Sequence, residues 1–533
     1  LLGALMGLAA WLPAFRDGLP PQGNDDVWHG YATERLLHLT HFGISDLIPV
    51  VTTPGSPIVP YPYGVHLGGA AAAALTPGGV PTALNGLWAI AAGVTLPLGL
   101  AALAWLVFPG RPTVALLAGL LAPTINVFPY ALNGVLPYGV TLSLVPGFLA
   151  LLIARARYRR VGWAPVGLAA FGIFISHPAA AVAAAVVGVL VVGEAVLRGP
   201  VRELGARVAR LVPAGVLAGL LALPWLRGSE EGAPAVPAAV TAAQYSTAQA
   251  LRQLLGLQSP WTPAQPLLGA LVVVGAVTLA FWLRRGYGIL AAYAFFGVVF
   301  VGTLAGSGLI SRFTVFWYGD WHRTYAVAVM LAPILAAAGL VGLAGLARAV
   351  EFRLHPRGLG ARVLTAATVL VALVFALEGA RYVVRGQSTV ETTYGSGLVT
   401  AQDIDLMHRL ADDMGPDEVA LNYWLDGSSW MYAVAGVRPA VPYINAEQIV
   451  PDIAVLQRPG TAAADPQVCR VMLEAHATHA YAGDRLIDGS PSGFLQELEG
   501  NPTLFPEIGR TATSAIFRID QDGLRRCAAL AGP

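Results

Sequence analysis

The chain has 533 residues, 56% of them hydrophobic and only 12% charged, with a mean hydropathy of +0.62. Soluble domains carry about 25% charged residues, so this composition excludes a soluble enzyme over most of the length and excludes disorder. The 32 basic residues, all arginine, nearly cancel 31 acidic ones, and a net charge of +1 gives no case for nucleic acid as a partner.

A bilayer core takes about 20 apolar residues per helix. Such runs fall at 1–15, 83–107, 112–130, 137–154, 162–176, 179–197, 208–226, 266–283, 287–307, 324–347 and 363–383. The first opens in mid-run at Leu1, which implies chain ahead of it. A shorter stretch from His66 to Leu75 reads as re-entrant or interfacial. If these eleven helices alternate, Arg111, Arg155 to Arg160, Arg198 to Arg210, Arg284, Arg285 and Arg348 to Arg362 share one side. That side is cytoplasmic by the positive-inside rule. The opposite loops carry only Arg16, Arg35, Arg227, Arg252, Arg312 and Arg323 and face outward. Beyond Val383 charges and turn residues appear, with short apolar runs at Glu418–Leu421 and Ser514–Ile519. The expected architecture is a polytopic α-helical membrane module over 1–388, with 16–82 as its first outer loop. An extracytoplasmic α/β domain over 389–533 follows. Its Cys469 and Cys527 are the only cysteines, and they read either as one disulfide or as two buried thiols.

The outward loops hold the polar residues that need explaining. Asn24 or Asp25 can cap a helix that starts near Asp26. On it Asp26 and His29 lie i, i+3 on one face, while Leu36, Leu37 and Leu39 would grip the membrane surface. A carboxylate beside an imidazole suits general-base work, and the plainer reading is ordinary capping with a locally bonded histidine. Tyr61-Pro-Tyr-Gly-Val-His66 places His66 on the same side. Ile175-Ser-His-Pro178 places His177 at the outer turn of a helical hairpin, as a functional group or a helix-end hydrogen bond. Asn133-Gly-Val-Leu-Pro-Tyr138 also lies there. Before the tenth helix, Asp320, His322 and Arg323 sit among Trp317, Tyr318 and Trp321. Arginine binds phosphate bidentately. The aromatic rings suit a sugar face or an interfacial belt with snorkelling arginine. No Walker A loop, Rossmann fingerprint, HExxH or GxSxG occurs. Intramembrane charge is scarce, Glu194 being an exception near a helix end, which argues against an ion-coupled transporter.

The acidic first outer loop, the helix count and the outward C-terminal domain resemble the GT-C glycosyltransferases. Four stretches look more closely like a family of actinobacterial multi-pass membrane proteins of unassigned function. They are Asp26-Val-Trp-His29, Tyr61-Pro-Tyr-Gly-Val-His66, Ser176-His-Pro178 and Trp317-Tyr-Gly-Asp-Trp-His-Arg323. The segment Asn422-Tyr-Trp-Leu-Asp-Gly-Ser-Ser-Trp-Met-Tyr432 looks like that family's outer domain. The lysine-free, Ala- and Gly-rich usage fits a GC-rich bacterial genome. The resemblance implies an inverting transferase in a bacterial plasma membrane, with its active site facing outward. It would move a sugar, mannose or arabinofuranose being the obvious candidates, from a polyprenyl-phosphate donor to a cell-envelope glycan or lipid. Carried over, Asp26 is the general base, with Asp25 the alternative, and His29 orients it or touches the acceptor. Arg323 and His322 hold the donor phosphate, and Asp320, His177, Trp321, Tyr318 and His66 complete the binding set. Some GT-C enzymes use a divalent cation, and Asp25, Asp26 and Asp320 could bind one if they met in space. The other readings are a non-catalytic lipid or polysaccharide translocator and an envelope assembly or binding protein. In the last, Trp424, Asp426 and Trp430 would do the recognising.

Overall fold

The structure is a computed structural model. It describes residues 1–15, 18–21, 26–39, 62–125, 136–230, 244–259, 262–317, 319–354, 377–388, 390, 398–442, 455–463 and 465–530. Helix α1 (Leu2–Ala14) is short and apolar, followed by α2 (Asp26–His38) and α3 (Gly64–Ala73). The bundle continues with α4 (Gly79–Val107), α5 (Pro112–Thr124), α6 (Leu136–Arg157), α7 (Trp163–Ser176), α8 (Pro178–Leu197) and α9 (Val201–Arg227). After α10 (Thr247–Leu255) come α11 (Pro266–Leu283), α12 (Tyr287–Leu304), the short α13 (Gly308–Phe313) and α14. The last runs from Trp321 to Leu354. Seven of these helices are long and apolar enough to cross a bilayer, and α1, α5 and α7 are shorter apolar helices. Ten of the eleven expected runs are therefore helical, and the protein is a multi-pass membrane protein. The eleventh, 363–383, falls mostly outside the described residues, which show helix over 377–388.

Helix α14 is the axis of the bundle, with 83% of its most apolar window buried. It crosses α11 on small residues. A Cβ on Gly275 would lie 1.8 Å from the Leu335 carbonyl oxygen, and one on Gly339 would lie 2.4 Å from that of Leu271. Only glycine permits this backbone approach, the usual device of helix packing in lipid. One end of the bundle is tied by arginines that cap the last carbonyls of neighbouring helices. Arg157 donates to Leu106 O, Arg198 to Arg284 O, and Arg210 to Ala156 O. Cations at helix C-termini also complement the macrodipole. Glu194 belongs to this end, accepting the N–H groups of Gly286 and Gly288 at 2.9 and 2.7 Å and pairing with Arg198. It is a cap for α12 rather than a transport carboxylate.

The C-terminal domain contains α15 (Ala401–Asp413), β1 (Val419–Leu421), α16 (Met431–Ala435), β2 (Arg438–Pro439), α17 (Pro466–Glu474) and β3 (Ala477–Gly483). It closes with α18 (Gly493–Glu499), β4 (Glu507–Arg510), β5 (Ser514–Arg518) and α19 (Gln521–Ala529). The sheet order is β2-β1-β3-β5-β4, with β1 parallel to both neighbours and β5 antiparallel to both of its own. Both apolar runs singled out in the sequence are strands of this sheet. One side encloses a core of Leu421, Val468, Phe494, Leu498, Phe505 and Phe517. Leu406, Met407, Leu410, Trp430 and Met431 instead share a core with the membrane helices, so the domain docks through apolar contact.

Cys469 and Cys527 form a disulfide between α17 and α19, with Cα atoms 5.9 Å apart and a sequence separation of 58. A loop of that length is worth about 4 kcal/mol of unfolded-state entropy. Reduction, or the paired change Cys469→Ser with Cys527→Ser, should therefore make the C-terminal domain unfold at lower denaturant concentration. Urea-dependent proteolysis of the full chain checks this, and an unchanged midpoint would contradict it.

Candidate active site

Five chain segments meet at the end of the bundle opposite the arginine-capped one. Helix α2 supplies Asp26 and His29, which are 2% and 3% exposed. Its cap candidates Asn24 and Asp25 lie outside the described residues. Helix α3 is wedged against both α2 and the α7–α8 turn. A Cβ on its Gly64 would sit 2.5 Å from Ser176 Oγ, and one on Gly69 would sit 3.1 Å from Thr33 Cγ2. This packing carries His66 to His29, with His29 Nδ1 and His66 Nε2 3.0 Å apart. It also buries Leu36 in a cluster with Trp28, Tyr63 and Trp225. That corrects the expectation that Leu36 grips the membrane surface. The cluster takes Leu37 and Leu39 as partly buried neighbours.

His177 is the N-cap of α8, its Nδ1 accepting from Ala179 N at 3.2 Å. The helix-end role expected of it is real, and the ring also meets Tyr138 edge-on at 5.1 Å. Tyr138, at the start of α6, donates its hydroxyl to Arg323 O at 2.7 Å, and the Arg323 guanidinium stands 5.9 Å over its ring. Tyr138 thus links His177 to α14. It lay in one of the stretches the sequence reading placed on this side, but nothing in a lone tyrosine at a helix start marked it as the link.

The first turn of α14 is organised by Asp320. Its Oδ1 accepts the backbone N–H of His322 at 2.8 Å, a capping bond, and lies 2.7 Å from His322 Nδ1. Its Oδ2 is 3.4 Å from Arg323 Nε. Burial works against this carboxylate, but the His322 hydrogen bond and the nearby Arg323 charge outweigh it and hold it below the usual range, while burial lowers His322 itself. Trp321 reads in the sequence either as a ring that stacks on a sugar face or as an anchor at the membrane interface. It is buried, with its ring 6.1 Å from Phe300 and 3.4 Å from His322. Tyr318 lies outside the described residues.

The three other histidines are neutral at pH 7. Burial pushes His29 well below its ordinary value, with His66, His177 and Arg323 adding to the effect. Burial takes His66 to about 4. Burial, then the Arg323 charge, takes His177 to about 3. These interactions also place the pieces within electrostatic reach of one another. The fixed positive charge here is that of Arg323, at the N-terminus of the most buried helix, where the dipole also favours an anion. Among the described residues no group of three or more His, Cys, Asp or Glu side chains could hold a metal ion. Asp320 is engaged with His322 and Arg323.

A sequence-family profile matches residues 1–522, almost the whole chain. The chain belongs to DUF6541, a family of unknown function. No curated protein matches the sequence at a significant level. Among solved structures, ArnT from Cupriavidus metallidurans in the apo state superposes on this DUF6541 member with a TM-score of 0.55. Identity is 13%, and the match covers 100% of this chain and 98% of that one. ArnT bound to undecaprenyl phosphate gives 0.54 at 14% over the same shares. The archaeal oligosaccharyltransferase AglB from Archaeoglobus fulgidus, in complex with an inhibitory peptide and a dolichol-phosphate, gives 0.51 at 13%. That match covers 90% of this chain and 68% of the other. At such identities the likeness is one of fold, and the fold is GT-C-like.

Proposed function

We propose that this DUF6541 protein is a polyprenyl-phosphate-dependent glycosyltransferase acting on the outer face of a bacterial plasma membrane. The observation that carries it is the convergence, at one end of a GT-C-like bundle, of the bonded pair His29–His66, one turn after Asp26, with Arg323 and the Tyr138 ring that touches both Arg323 and His177. Structures of that fold bound to undecaprenyl phosphate and to a dolichol-phosphate support the donor class. The Cys469–Cys527 disulfide and the arginines at the far end of the bundle support the outward orientation.

In this reading Asp26 takes the proton of an acceptor hydroxyl, with Asp25 as the alternative base. The hydroxyl oxygen attacks the anomeric carbon, the bond from that carbon to the phosphate oxygen breaks, and the sugar inverts. The electron pair leaves on polyprenyl phosphate, whose growing charge Arg323 stabilises. His322 shares that duty, and Asp320 orients both. His177 uses Nδ1 for its cap, so Nε2 is the atom it can offer a substrate. His29 and His66, neutral and mutually bonded, fix the geometry beside Asp26. The acceptor is an envelope glycan or lipid, and mannose and arabinofuranose are the first donors to try.

Purified chain in nanodiscs, given synthetic polyprenyl-phosphate sugars and a cell-envelope extract, should release free polyprenyl phosphate, read by mass spectrometry. Release with no donor in such a panel would sink the proposal. Because His29, His66 and His177 stay neutral, none of these three should put a limb on kcat/KM between about pH 5.5 and 8. An inflection near the ordinary histidine value that His66→Asn removes would contradict the assignment.

A further inference from the structure

Gly30 stands in the interior of α2, where glycine costs about 1 kcal/mol relative to alanine. Its neighbour explains it. A Cβ there would lie 2.2 Å from Cζ3 of Trp430 and 2.7 Å from its Cη2. The outer domain thus lays the edge of an indole ring on the backbone of this helix. Gly30 is i+4 from Asp26, so the two positions are neighbours on one face. A helical Cβ points back toward the N-terminus, so the space the ring occupies lies over the turn that carries Asp26. The next residue repeats the contact, with the Tyr31 and Tyr432 rings stacked at 4.2 Å.

The segment that presents Trp430 is stiff. Asn422, fully buried, donates to Ser428 Oγ, Ser429 Oγ and Val441 O, and accepts from Val441 N at 2.7 Å. Asp426 accepts the N–H groups of Ser428 and Gly483, both at 2.9 Å, tying the segment to the end of β3. Gly427 takes φ +82° between them, a conformation that favours glycine. Trp430 itself is 1% exposed.

Resting on the transferase reading, we infer that Trp430 is a positioning residue for Asp26. It pins the helix that carries the base and walls the space beside it. The outer domain is then part of the active site's frame rather than an appended recognition module. Its Asn422–Tyr432 segment acts through Gly30.

The test uses the full chain in nanodiscs. Trp430→Ala should lower the rate at saturating donor on the order of tenfold to a hundredfold, with the donor KM changed less than about twofold. Trp430→Phe should keep most of the rate. Hydrogen exchange gives a readout free of activity. Amides over 26–38 should exchange faster in Trp430→Ala, while those of β5 and α19 stay protected. An unchanged rate in an otherwise active enzyme, or unchanged exchange over 26–38, overturns the inference. Should Trp430→Ala fail to fold, Gly30→Ala reads the same contact. It should loosen 26–38 in the wild-type background and lose that effect beside Trp430→Leu, and an equal effect in both backgrounds overturns the inference. A wild-type chain that transfers nothing sinks the transferase reading, and the exchange data still decide whether Trp430 pins α2.

Discussion

Asp26→Asn is expected to lower sugar transfer by about 10²- to 10⁴-fold, the usual worth of a positioned general base, while insertion and polyprenyl-phosphate binding remain. Asparagine matches aspartate in shape, so the packing around a side chain only 2% exposed is kept. What is lost is the ability to take a proton. Asp26 sits in the first turn of α2. His29 one turn on is neutral, so it can bond the carboxylate without competing as a cation. Transfer assayed at saturating donor, with thermal unfolding and donor binding measured on the same preparation, separates the chemical loss from misfolding. An inactive Asp25→Asn beside an active Asp26→Asn would move the base by one residue. Full activity in both would remove the mechanism.

Much of this architecture could be read from the amino acids because the bilayer imposes a length and a polarity that few other environments do. Ten apolar runs are helices near their expected bounds. The alternation of arginine-rich and arginine-poor loops put His29, His66, His177 and Arg323 on one side before any contact was known. Parity cannot say which of these side chains touch. The stretch Asp320 to Arg323 suggested a phosphate site with sugar-stacking walls. The structure turns Asp320 inward to cap and pair, and it buries Trp321 against Phe300. Both outcomes follow from helix-end geometry and packing of the central helix, which no local pattern encodes. The contact of Gly30 with Trp430 is the extreme case. Four hundred residues of chain separate them, and the only local trace is a glycine at a position where α2 would be better served by alanine. The cysteines left two readings open for the same reason, since only the packing of α17 on α19 sets their separation.

Arg323→Ala should weaken polyprenyl-phosphate binding by about 30- to 1,000-fold, the equivalent of about 2–4 kcal/mol for charge-assisted hydrogen bonds lost in a buried setting. The protein contains no lysine, and the neighbouring histidines His29, His66 and His177 are neutral. No second permanent cation in the described site can therefore take over. Arg323 is held from two directions: Asp320 lies 3.4 Å from Nε, and the Tyr138 ring lies under the guanidinium. Both fix the plane of the fork before any phosphate arrives, which lowers the ordering cost of binding. Arg323→Lys keeps the charge but loses that planar fork, so it should fall between wild type and alanine. Asp320→Asn keeps the α14 cap, because asparagine caps as well as aspartate, and it tests the orienting role alone. Binding of a short-chain polyprenyl phosphate to each variant in nanodiscs, at low and high salt, gives the comparison. Wild-type affinity should drop with salt through screening of the partly exposed pair, and Arg323→Ala should flatten that dependence. Equal affinities in wild type and Arg323→Ala would place the donor phosphate elsewhere, and the convergence at the head of α14 would then have to be explained as structure alone.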